Sequence, residues 1–419
     1  MAERIVVVGH GATTCLGRDM NATWDGLIAG KSGLKRHETL FPAETFAQNI
    51  AGVVENFGPG TVDEDQAVAK LEARSIHLAM SSAREAWLDA KLDACDYDPR
   101  RVALVVGSAM GGLDLYDAEN ARAAKRKSLA TSPYLIPGMI INQSSGQIAQ
   151  HLGLRGPSIA PANACASGGH SIAIAGMLLK AGEADLALCG ASESAFTPAV
   201  VNGFATMKAL LGRKAGDRSL EHSEQASRPF SVDRAGFVLS EGAAMLVLAT
   251  ESTAKRLRLK IQAELIGWSW NSDGRHMAMP DGDSIAHCIA TAIARSEISP
   301  LEIDYYNAHG TSTIVNDRVE TNAVKEVFGQ GAKRLPISSI KGALGHSLGA
   351  ASAIEAATCV RALASQTIPP TINYRPDPEL NLDYVPDRAR TADLTTVLSA
   401  SFGFGGTNNA LVLRRWNDA

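Results

Sequence analysis

The sequence predicts an α/β fold made of two similar halves. Continuous apolar runs at residues 5–9 and 101–107 are typical of strands that are buried on both faces of a parallel or mixed sheet. Segments with the apolar spacing of helices alternate with such runs along the chain. A strand, a small-residue loop and a helix at 157–179 have a counterpart at 336–363, with little residue identity between the two. We therefore expect two α/β halves, residues 1–250 and 251–419, with loops from both meeting at one site.

In the first half, the polar and glycine-rich stretch at 30–64 is expected to form surface connections. The insert at 212–225 is judged too polar to pack, and 237–248 is interpreted as a short helix or turn leading into a strand. The predicted strands are 5–9, 101–107 and 185–190, and the predicted helices are 21–29, 65–92, 118–130, 134–152 and the one that follows Cys165.

The second half repeats the pattern of strands and helices. Its predicted strands are 261–268, 305–308 and 336–339, its predicted helices are 285–296, 317–328 and 348–364, and a glycine-broken hairpin is expected at 398–414. This order gives each half the same kind of strand, loop and helix unit around the proposed site.

Composition excludes several classes of function. The chain has 419 residues, 45% of them hydrophobic, and a formal net charge of -4, which gives no electrostatic case for binding nucleic acid. No apolar run approaches the length of a membrane span, so we expect a cytoplasmic protein. Six scattered cysteines without C-x-x-C pairs indicate free thiols rather than disulfides or a zinc site. The early glycines at 9, 11 and 17 do not have the spacing of a phosphate-binding loop.

Cys165 is the candidate nucleophile. It follows residues unsuited to a helix interior and precedes small residues and an apolar helical pattern, so it lies at or near a helix N-terminus. The helix dipole and the unpaired N–H groups there stabilise a thiolate, which is the nucleophilic form. A buried structural cysteine fits the same stretch. Partners elsewhere in the chain must decide between the two interpretations.

Two histidines in the second half are candidate partners of Cys165. His309 and His346 each adjoin a glycine and each stand where a strand connects to a helix. A single histidine is more often structural, but two in this context favour function. A cysteine can carry an acyl group as a thioester while neutral imidazoles donate hydrogen bonds to an enolate or oxyanion. Lys341 and Glu355 can form a buried pair that fixes His346 and its protonation, although a lysine near a helix start is often merely exposed.

The last candidate segment is the glycine-rich stretch at 399–408. Its glycines allow backbone conformations with positive φ, so the loop can present N–H groups to an oxyanion while Phe404 moves. A plain β-turn with Phe402 and Phe404 as core aromatics explains the same residues.

Together these motifs resemble those of the β-ketoacyl-acyl carrier protein synthases, the condensing enzymes of type II fatty acid and polyketide synthesis. The resemblance covers essentially the whole chain. It rests on Ala-Cys-Ala-Ser-Gly at Cys165, residues 229–242, Asn-Ala-His-Gly-Thr-Ser-Thr at His309, residues 341–351 around His346, and Gly-Phe-Gly-Gly-Thr-Asn from Gly403. It implies a thiolase-like fold, with the two duplicated halves arranged in five layers, α-β-α-β-α.

The resemblance implies decarboxylative Claisen condensation at a Cys-His-His site. Cys165 would receive the acyl chain, while His309 and His346 would assist decarboxylation of malonyl-carrier protein and stabilise the enolate. Backbone N–H groups of Cys165 and Phe404 would form the oxyanion hole, with Phe404 also gating the pocket. No tightly bound cofactor or metal is implied, because the substrates arrive on the phosphopantetheine of an acyl carrier protein.

Further roles follow from the same resemblance. Lys341 and Glu355 keep the family's spacing from His346, and Asp317 and Glu320 match acidic positions after the His309 loop. Relatives are dimers, so a homodimer or a heterodimer with a related ketosynthase-like subunit is expected. The implied substrate-binding residues are Thr311 and Thr313 for the phosphopantetheine arm, Met110 as a limit on the acyl tunnel, and Phe402; the implied carrier-docking residues are Lys70, Arg74, Lys208 and Arg213.

The chain also departs from the family pattern. Asn163 stands where Thr is usual before Ala-Cys, Ala400 stands where Asn is usual, and the 212–225 insert is long. These departures favour a specialised polyketide or polyene pathway over fatty acid synthesis. The alternative is a non-catalytic partner subunit that resembles a chain-length factor. Such partners typically lack the nucleophilic cysteine, so Cys165 argues against it.

Overall fold

The computed structural model describes residues 3–38, 40, 48–58, 70–126, 130–212 and 216–417. The strands in these ranges are β1 Ile5–Thr14, β2 Lys35–Arg36, β3 Ile50–Ala51, β4 Val102–Gly107, β5 Ser158–Ile159, β6 Leu186–Glu193, β7 Gly242–Thr250, β8 Ala263–Ser272, β9 Tyr305–Asn307, β10 Ile337–Ser338, β11 Thr367–Ile368, β12 Arg390–Thr391, β13 Thr396–Gly403 and β14 Thr407–Arg415. The helices are α1 Met20–Ile28, α2 Arg74–Asp89, α3 Leu113–Arg126, α4 Leu135–Met139, α5 Gln143–Leu152, α6 Ser167–Lys180, α7 Pro198–Thr206, α8 Glu251–Arg256, α9 Gly282–Arg295, α10 Ile314–Phe328, α11 Lys341–Leu344 and α12 Ala351–Ser365.

The main sheet repeats one strand order in both halves of the chain. Ten strands lie in the order β10-β9-β13-β14-β8-β1-β7-β6-β4-β5. The first half contributes β1, β4, β5, β6 and β7 to this sheet, and the second half contributes β8, β9, β10, β13 and β14. If each set is numbered 1 to 5 along the chain, both have the order 3-2-4-5-1 from the outer edge of the sheet to its centre. Corresponding neighbours are parallel or antiparallel in the same way in both sets. The two sets meet through a short antiparallel contact in which Val6 and Val7 face Glu264 and Ala263. The duplication that the sequence predicts is therefore present in the topology.

Helices cover both faces of each half of the sheet. Helices α6 and α12 pack against each other and against strands of both halves, so they form a central layer. Because successive strand residues point to opposite faces, Ile5 and Val7 of β1 join this central core while Val6 and Val8 face the outer helix α2. Helix α9, with α10 beside it, covers the second half on the other side. This is the predicted five-layer arrangement.

The glycines near the start of the chain are needed for packing between β1 and α2. A Cβ atom added at Gly11 would lie 2.5 Å from the carbonyl oxygen of Ser82, closer than real contacts allow. The glycine spacing in β1 therefore reflects close contact between a strand and a helix.

Most predicted elements are present, although several differ in extent or type. The helix predicted at 118–130 begins earlier, at Leu113, and residues 127–129 lie outside the described ranges. The predicted helix at 65–92 is described from Arg74 to Asp89, and residues 65–69 lie outside the described ranges. The predicted helix at 134–152 is divided into α4 and α5. At 237–248, where a short helix or turn was predicted to lead into a strand, the structure has the strand β7, which begins at Gly242.

The prediction that the 212–225 insert is too polar to pack is wrong for its described part. Arg228, just after the insert, is 1% exposed and forms an ion pair of 2.7 Å with Asp217. Ser219 is also buried, and the amide of Gln48 donates to its hydroxyl over 2.9 Å. Polar side chains can be buried when they satisfy one another. The polarity of these side chains is visible in the sequence, but their pairing is not.

The cysteines agree with the prediction from composition. All six cysteines are free thiols, as their scattered spacing predicts. Within the described ranges, we find no helix whose length and apolar character would let it cross a bilayer.

Candidate active site

Cys165 lies in the tight turn that leads into the central helix α6. Residues Ala164–Ala166 form a 3₁₀ turn and α6 begins at Ser167, so the predicted position at a helix N-terminus is confirmed. Ala164 has φ of +47°, a left-handed conformation that costs a non-glycine residue about 1–2 kcal/mol. Hydrogen bonds around Asn163 hold this turn: its carbonyl accepts from the Thr407 hydroxyl over 3.0 Å and its N–H donates to the Ser167 hydroxyl over 2.9 Å.

His346 lies against the sulfur of Cys165. Its Nε2 atom is 3.2 Å from Sγ. Gly345, which has φ of +73°, turns the chain directly after α11, and the His346 N–H then donates to the carbonyl of Val238 over 2.7 Å. The ring also packs edge-on against Phe237, with 5.3 Å between ring centroids. The second half of the chain thus delivers an imidazole to the thiol of the first half.

His309 completes the cluster. Its ring centroid is 5.4 Å from that of His346, with the rings nearly perpendicular. Sγ of Cys165 and one nitrogen of each histidine all lie within 4.8 Å of one another. The structure therefore brings together the three residues that the sequence singles out.

Two buried carboxylates shape the His309 loop. Glu320 accepts the backbone N–H groups of His309 and Gly310, over 2.8 and 2.7 Å. Asp317 accepts the N–H of Thr311 over 2.9 Å and that of Phe230 over 2.8 Å. The acidic positions that match the family pattern thus act on the backbone of the loop.

The buried Lys341–Glu355 ion pair is present, but its hydrogen bond goes to His309. The prediction that it holds His346 is wrong, and Lys341 acts on the pKa of His346 through its charge. Lys341 is 2% exposed, and its ammonium donates to Nδ1 of His309 over 3.4 Å and to the His309 carbonyl over 2.6 Å. It also pairs with Glu355, whose second oxygen accepts from the Ser401 hydroxyl over 2.9 Å. His309 lies at the end of β9 and His346 follows α11, so only folding decides which of them the Lys341 side chain reaches.

Burial dominates the protonation of the cluster, contrary to the predicted thiolate. Burial raises the pKa of the Cys165 thiol to about 11, although the Lys341 ammonium and the Phe404 N–H act in the opposite direction. Desolvation lowers the pKa of both His309 and His346 well below the usual imidazole value, and the positive charge of Lys341 lowers both further. At neutral pH the resting site is therefore a thiol beside two neutral imidazoles.

The backbone of the glycine-rich loop faces the sulfur. The N–H of Phe404 forms a hydrogen bond with the Cys165 thiol. The preceding residue, Gly403, has no room for a side chain, because a Cβ atom there would lie 2.9 Å from the Asn163 carbonyl oxygen and 3.1 Å from Cβ of Ala164. The loop thus lies close enough to Cys165 to offer an N–H group to its reacting atoms.

A cavity of about 790 Å³ opens onto the cluster. Its lining includes all four residues predicted to bind substrate, Met110, Thr311, Thr313 and Phe402. The Thr311 and Thr313 hydroxyls are 2.9 Å apart. Phe402 packs edge-on against His309, with 5.6 Å between centroids, and is almost fully buried. The half-buried Phe404 ring also lines the cavity, 6.1 Å from the ring of Phe204.

The four predicted docking residues have different environments. Lys208 is exposed and lines the cavity, and Lys70 is exposed with its ammonium 5.9 Å from the centroid of the Tyr134 ring. Arg213 lies outside the described residues. Arg74 is a correction, because its guanidinium turns inward to form an ion pair of 2.6 Å with the buried Glu241. A guanidinium held this way is not available to a partner, so we remove Arg74 from the docking set.

Glu193, a buried carboxylate bonded to Ala109 of the cavity lining, was not among the predicted site residues. It accepts the Ser108 hydroxyl over 3.0 Å and the backbone N–H groups of Ala109 and Gly349, over 2.6 and 3.3 Å. Burial raises its pKa to about 7. Glu193 therefore ties the loop before Met110 to the turn that follows His346. Its position at the carboxyl end of a buried strand was the available signal.

The side chains of Cys165, His309 and His346 are also close enough together to be metal ligands. A thiolate and two imidazoles within 4.8 Å resemble three ligands of a zinc ion. However, Lys341 donates to Nδ1 of His309, which leaves the proton of that neutral ring on Nε2. A protonated nitrogen cannot bind a metal, and the nearby ammonium disfavours a cation. The donor set therefore fits hydrogen bonding to an oxyanion better than metal binding.

Comparisons with known proteins agree with this geometry. Family models described as "Beta-ketoacyl synthase, N-terminal domain" and "Beta-ketoacyl synthase, C-terminal domain" match residues 2–254 and 262–375. The 3-oxoacyl-(acyl-carrier-protein) synthase 2 of Coxiella burnetii is 39% identical over 416 residues, which cover 99% of each chain. The protein of the same name from Synechocystis is 37% identical, over 99% of this chain and 98% of its own.

Solved structures give the same assignment. A complex described as a type II PKS acyl-carrier protein with its ketosynthase bound to the hexaketide contains a chain that matches with a TM-score of 0.90 at 30% identity, covering 99% of this chain and 100% of the other. The ishigamide ketosynthase/chain length factor matches with a TM-score of 0.90 at 31% identity and complete coverage of both chains. The chain therefore belongs to the β-ketoacyl synthase family, whose members are condensing acyltransferases with a thiolase-like fold.

Proposed function

We propose that this protein condenses a Cys165-bound acyl chain with malonyl-acyl carrier protein by decarboxylative Claisen chemistry. The observation that supports this most directly is the 3.2 Å contact between Sγ of Cys165 and Nε2 of His346, with the His309 ring beside it. A nucleophile with an adjacent base, and hydrogen-bond donors that can act on an oxyanion, are the parts that acyl transfer to carbon requires.

In the first half-reaction, the sulfur of Cys165 attacks the thioester carbonyl of an acyl carrier protein. His346 is positioned to accept the thiol proton, because its Nε2 is the nearest basic atom. The backbone N–H groups of Cys165 and Phe404 stabilise the oxyanion of the tetrahedral intermediate. The C–S bond to the carrier then breaks, the phosphopantetheine thiol takes up a proton and leaves, and the acyl chain remains on Cys165.

In the second half-reaction, malonyl-carrier protein loses CO₂ beside the two histidines. Each neutral imidazole donates a hydrogen bond from Nε2 to the thioester oxygen of the resulting enolate, which stabilises its charge. For His346 this is the tautomer opposite to the one that accepts the thiol proton, so its ring proton moves from Nδ1 to Nε2 between the half-reactions. Lys341 holds the His309 ring in the tautomer that can donate from Nε2. The enolate carbon then attacks the acyl carbonyl on Cys165. The bond to sulfur breaks with the electron pair on Cys165, the thiolate takes up a proton from water to restore the resting thiol, and the product leaves as a β-ketoacyl chain on the carrier.

Partner and pathway form the finer part of the proposal. Lys208 at the cavity, with the exposed Lys70, supports docking of an acidic acyl carrier protein, which delivers the substrate on its phosphopantetheine. We propose a homodimer or a heterodimer with a related subunit. The curated relatives carry the name of a 3-oxoacyl synthase, and two solved neighbours are described as polyketide or chain-length-factor assemblies. Asn163 and Ala400, which depart from the family pattern, favour specialised polyketide or polyene synthesis.

The alternative is a non-catalytic partner subunit resembling a chain-length factor. Retention of Cys165 together with His309 and His346 favours the active enzyme. Incubation with malonyl-carrier protein and a panel of acyl-carrier proteins, with products identified by mass, tests the choice. We expect a β-ketoacyl product two carbons longer than the primer. If the protein forms no product alone but supports a separate ketosynthase, the alternative is correct.

A further inference from the structure

A second cavity lies between β1, α1, α2 and the last turns of α12. Its volume is about 540 Å³, and it shares no lining residue with the cavity at Cys165. Three arginines from three separate parts of the chain line it, namely Arg18 before α1, Arg84 on α2 and Arg361 on α12. We call it the arginine cavity.

Two of the three guanidinium groups have no acidic partner among the residues that the structure describes. Within the described ranges, neither Arg84 nor Arg361 is paired with a carboxylate, and Nε of Arg361 is buried without a hydrogen-bond partner. The Arg361 guanidinium lies 6.0 Å from the centroid of the Trp24 ring, which helps to hold it in place. Arg18 donates to backbone carbonyls, including that of Glu55 over 3.3 Å. A buried polar donor without a partner is rare in proteins. Because Nε of Arg361 is such a donor and lies in a cavity with two further arginines, Arg18 and Arg84, we expect an acceptor that is not part of the protein.

The carboxylates that line the cavity are engaged elsewhere. The two oxygens of Glu85 accept the backbone N–H groups of Met20 and Ala12, over 2.7 and 2.8 Å. Asp89 accepts the Gln262 amide over 2.7 Å and the His10 N–H over 3.1 Å. Both acids accept donors of the protein, Asp89 through Oδ2 in each case. Within the described residues neither acid forms an ion pair with Arg84 or Arg361, so these guanidinium groups can receive an incoming anion.

We propose that the arginine cavity binds a phosphate group carried on a small organic molecule. Phosphate offers several oxygens and up to two charges, which suits guanidinium groups that approach from separate elements and can each donate two hydrogen bonds. Asn21 and Ser81 supply neutral polar groups, and the side chains of Met20 and Leu88 supply an apolar wall. The cavity is much larger than a phosphate ion, so the phosphate is attached to a larger body. That body is either a free metabolite or a lipid whose headgroup enters the cavity.

Binding to the full-length protein tests the proposal without any catalytic readout. Inorganic pyrophosphate and ADP are titrated calorimetrically, and sedimentation with vesicles that contain phosphatidic acid tests the lipid source. We expect at least one of these probes to bind wild-type protein, and R84A/R361A to weaken its affinity at least about tenfold, because each lost bond is charge-assisted. Binding of the soluble probes assigns a metabolite, and binding of the vesicles alone assigns a lipid. The C165A variant should bind as wild type does, which separates this site from the proposed condensation.

Matched variants control for charge and folding. R256A/R258A removes two exposed arginines elsewhere on the surface and should leave affinity unchanged. R84K/R361K keeps the charges but not the paired donors, so we expect an intermediate affinity and a melting temperature close to that of wild type. Absence of binding by every probe would overturn the proposal. Equal affinity in wild type and R84A/R361A would also overturn it. If R84A/R361A does not fold, equal affinity in wild type and R84K/R361K would do the same.

Discussion

The ammonium of Lys341 bridges the carboxylate of Glu355 and the imidazole of His309, in a part of the protein that is almost fully buried. The contact to Nδ1 of His309 decides which ring nitrogen carries the proton. Helix α12 carries Glu355 and packs against α6, which begins just after Cys165. Glu355 therefore links Lys341 and His309 to the nucleophile through the central layer.

Replacing Lys341 with methionine should destabilise the fold. The variant leaves the Glu355 carboxylate buried without its partner, which costs about 3–5 kcal/mol in the free energy of unfolding. Urea denaturation measures this. The control is K35M, which removes the exposed ammonium 2.8 Å from Glu55 and should cost less than about 1 kcal/mol. Equal losses of unfolding free energy in the two variants would show that the buried ion pair stabilises the fold no more than the exposed one.

The two histidines should affect the half-reactions differently. His346 contacts the sulfur, so H346A should slow both self-acylation and malonyl decarboxylation, each by about 10²-fold or more. His309 faces the enolate oxygen in our proposal, so H309A should slow decarboxylation by a similar factor and largely spare self-acylation. Mass spectrometry of the acyl-enzyme and release of labelled CO₂ measure the two steps separately. Self-acylation that survives in H346A but not in H309A would reverse the assignment.

Alkylation of Cys165 should depend on pH as a buried thiol does. Its pKa is raised to about 11, so the thiolate fraction is small at neutral pH and rises about tenfold for each pH unit until that value is approached. The rate of modification by iodoacetamide, followed by intact mass in wild type with C165A as the blank, should therefore increase from pH 7 to pH 10 without levelling. A plateau below pH 8 would instead indicate a stabilised thiolate.

A methyl group at Gly403 should displace the N–H of Phe404 from the sulfur. The added Cβ would lie 2.9 Å from the Asn163 carbonyl oxygen and 2.7 Å from the Thr407 hydroxyl, so the loop must move. We expect G403A to slow self-acylation by at least about tenfold, since loss of one oxyanion donor costs more than that in other enzymes. G203A is the control, because a Cβ there lies within 4 Å of no atom in the described part of the chain. If G403A acylates at the wild-type rate, this N–H is dispensable.

Sequence patterns predicted the architecture and the central cluster well, for physical reasons. Apolar runs mark buried strands whatever their neighbours are, so the strand and helix order was accessible. The turns at Cys165, His309 and His346 contain glycines and other small residues. Because a turn's conformation depends on the residues within it, such turns can be recognised from a short stretch of sequence. Their meeting across the two halves followed from the duplicated topology.

Pairing between distant side chains could not be predicted from the sequence. Arg74 looked like a surface cation, but its partner Glu241 is 167 residues away. The polar insert after 212 packs because Asp217 finds Arg228, and composition alone cannot reveal such a partner. The pKa of Cys165 depends on how deeply the fold buries it, which outweighs the helix N-terminus that the sequence does reveal. Each of these errors concerns a three-dimensional environment and not a local conformation.

The central claim is that Cys165 carries the acyl chain, and intact mass spectrometry after incubation with an acyl-carrier protein tests it most directly. We expect wild-type protein to gain the mass of one acyl group and C165A to gain none, while C189A, which changes another buried cysteine, acylates as wild type does. Acylation of C165A to the wild-type extent would contradict the account.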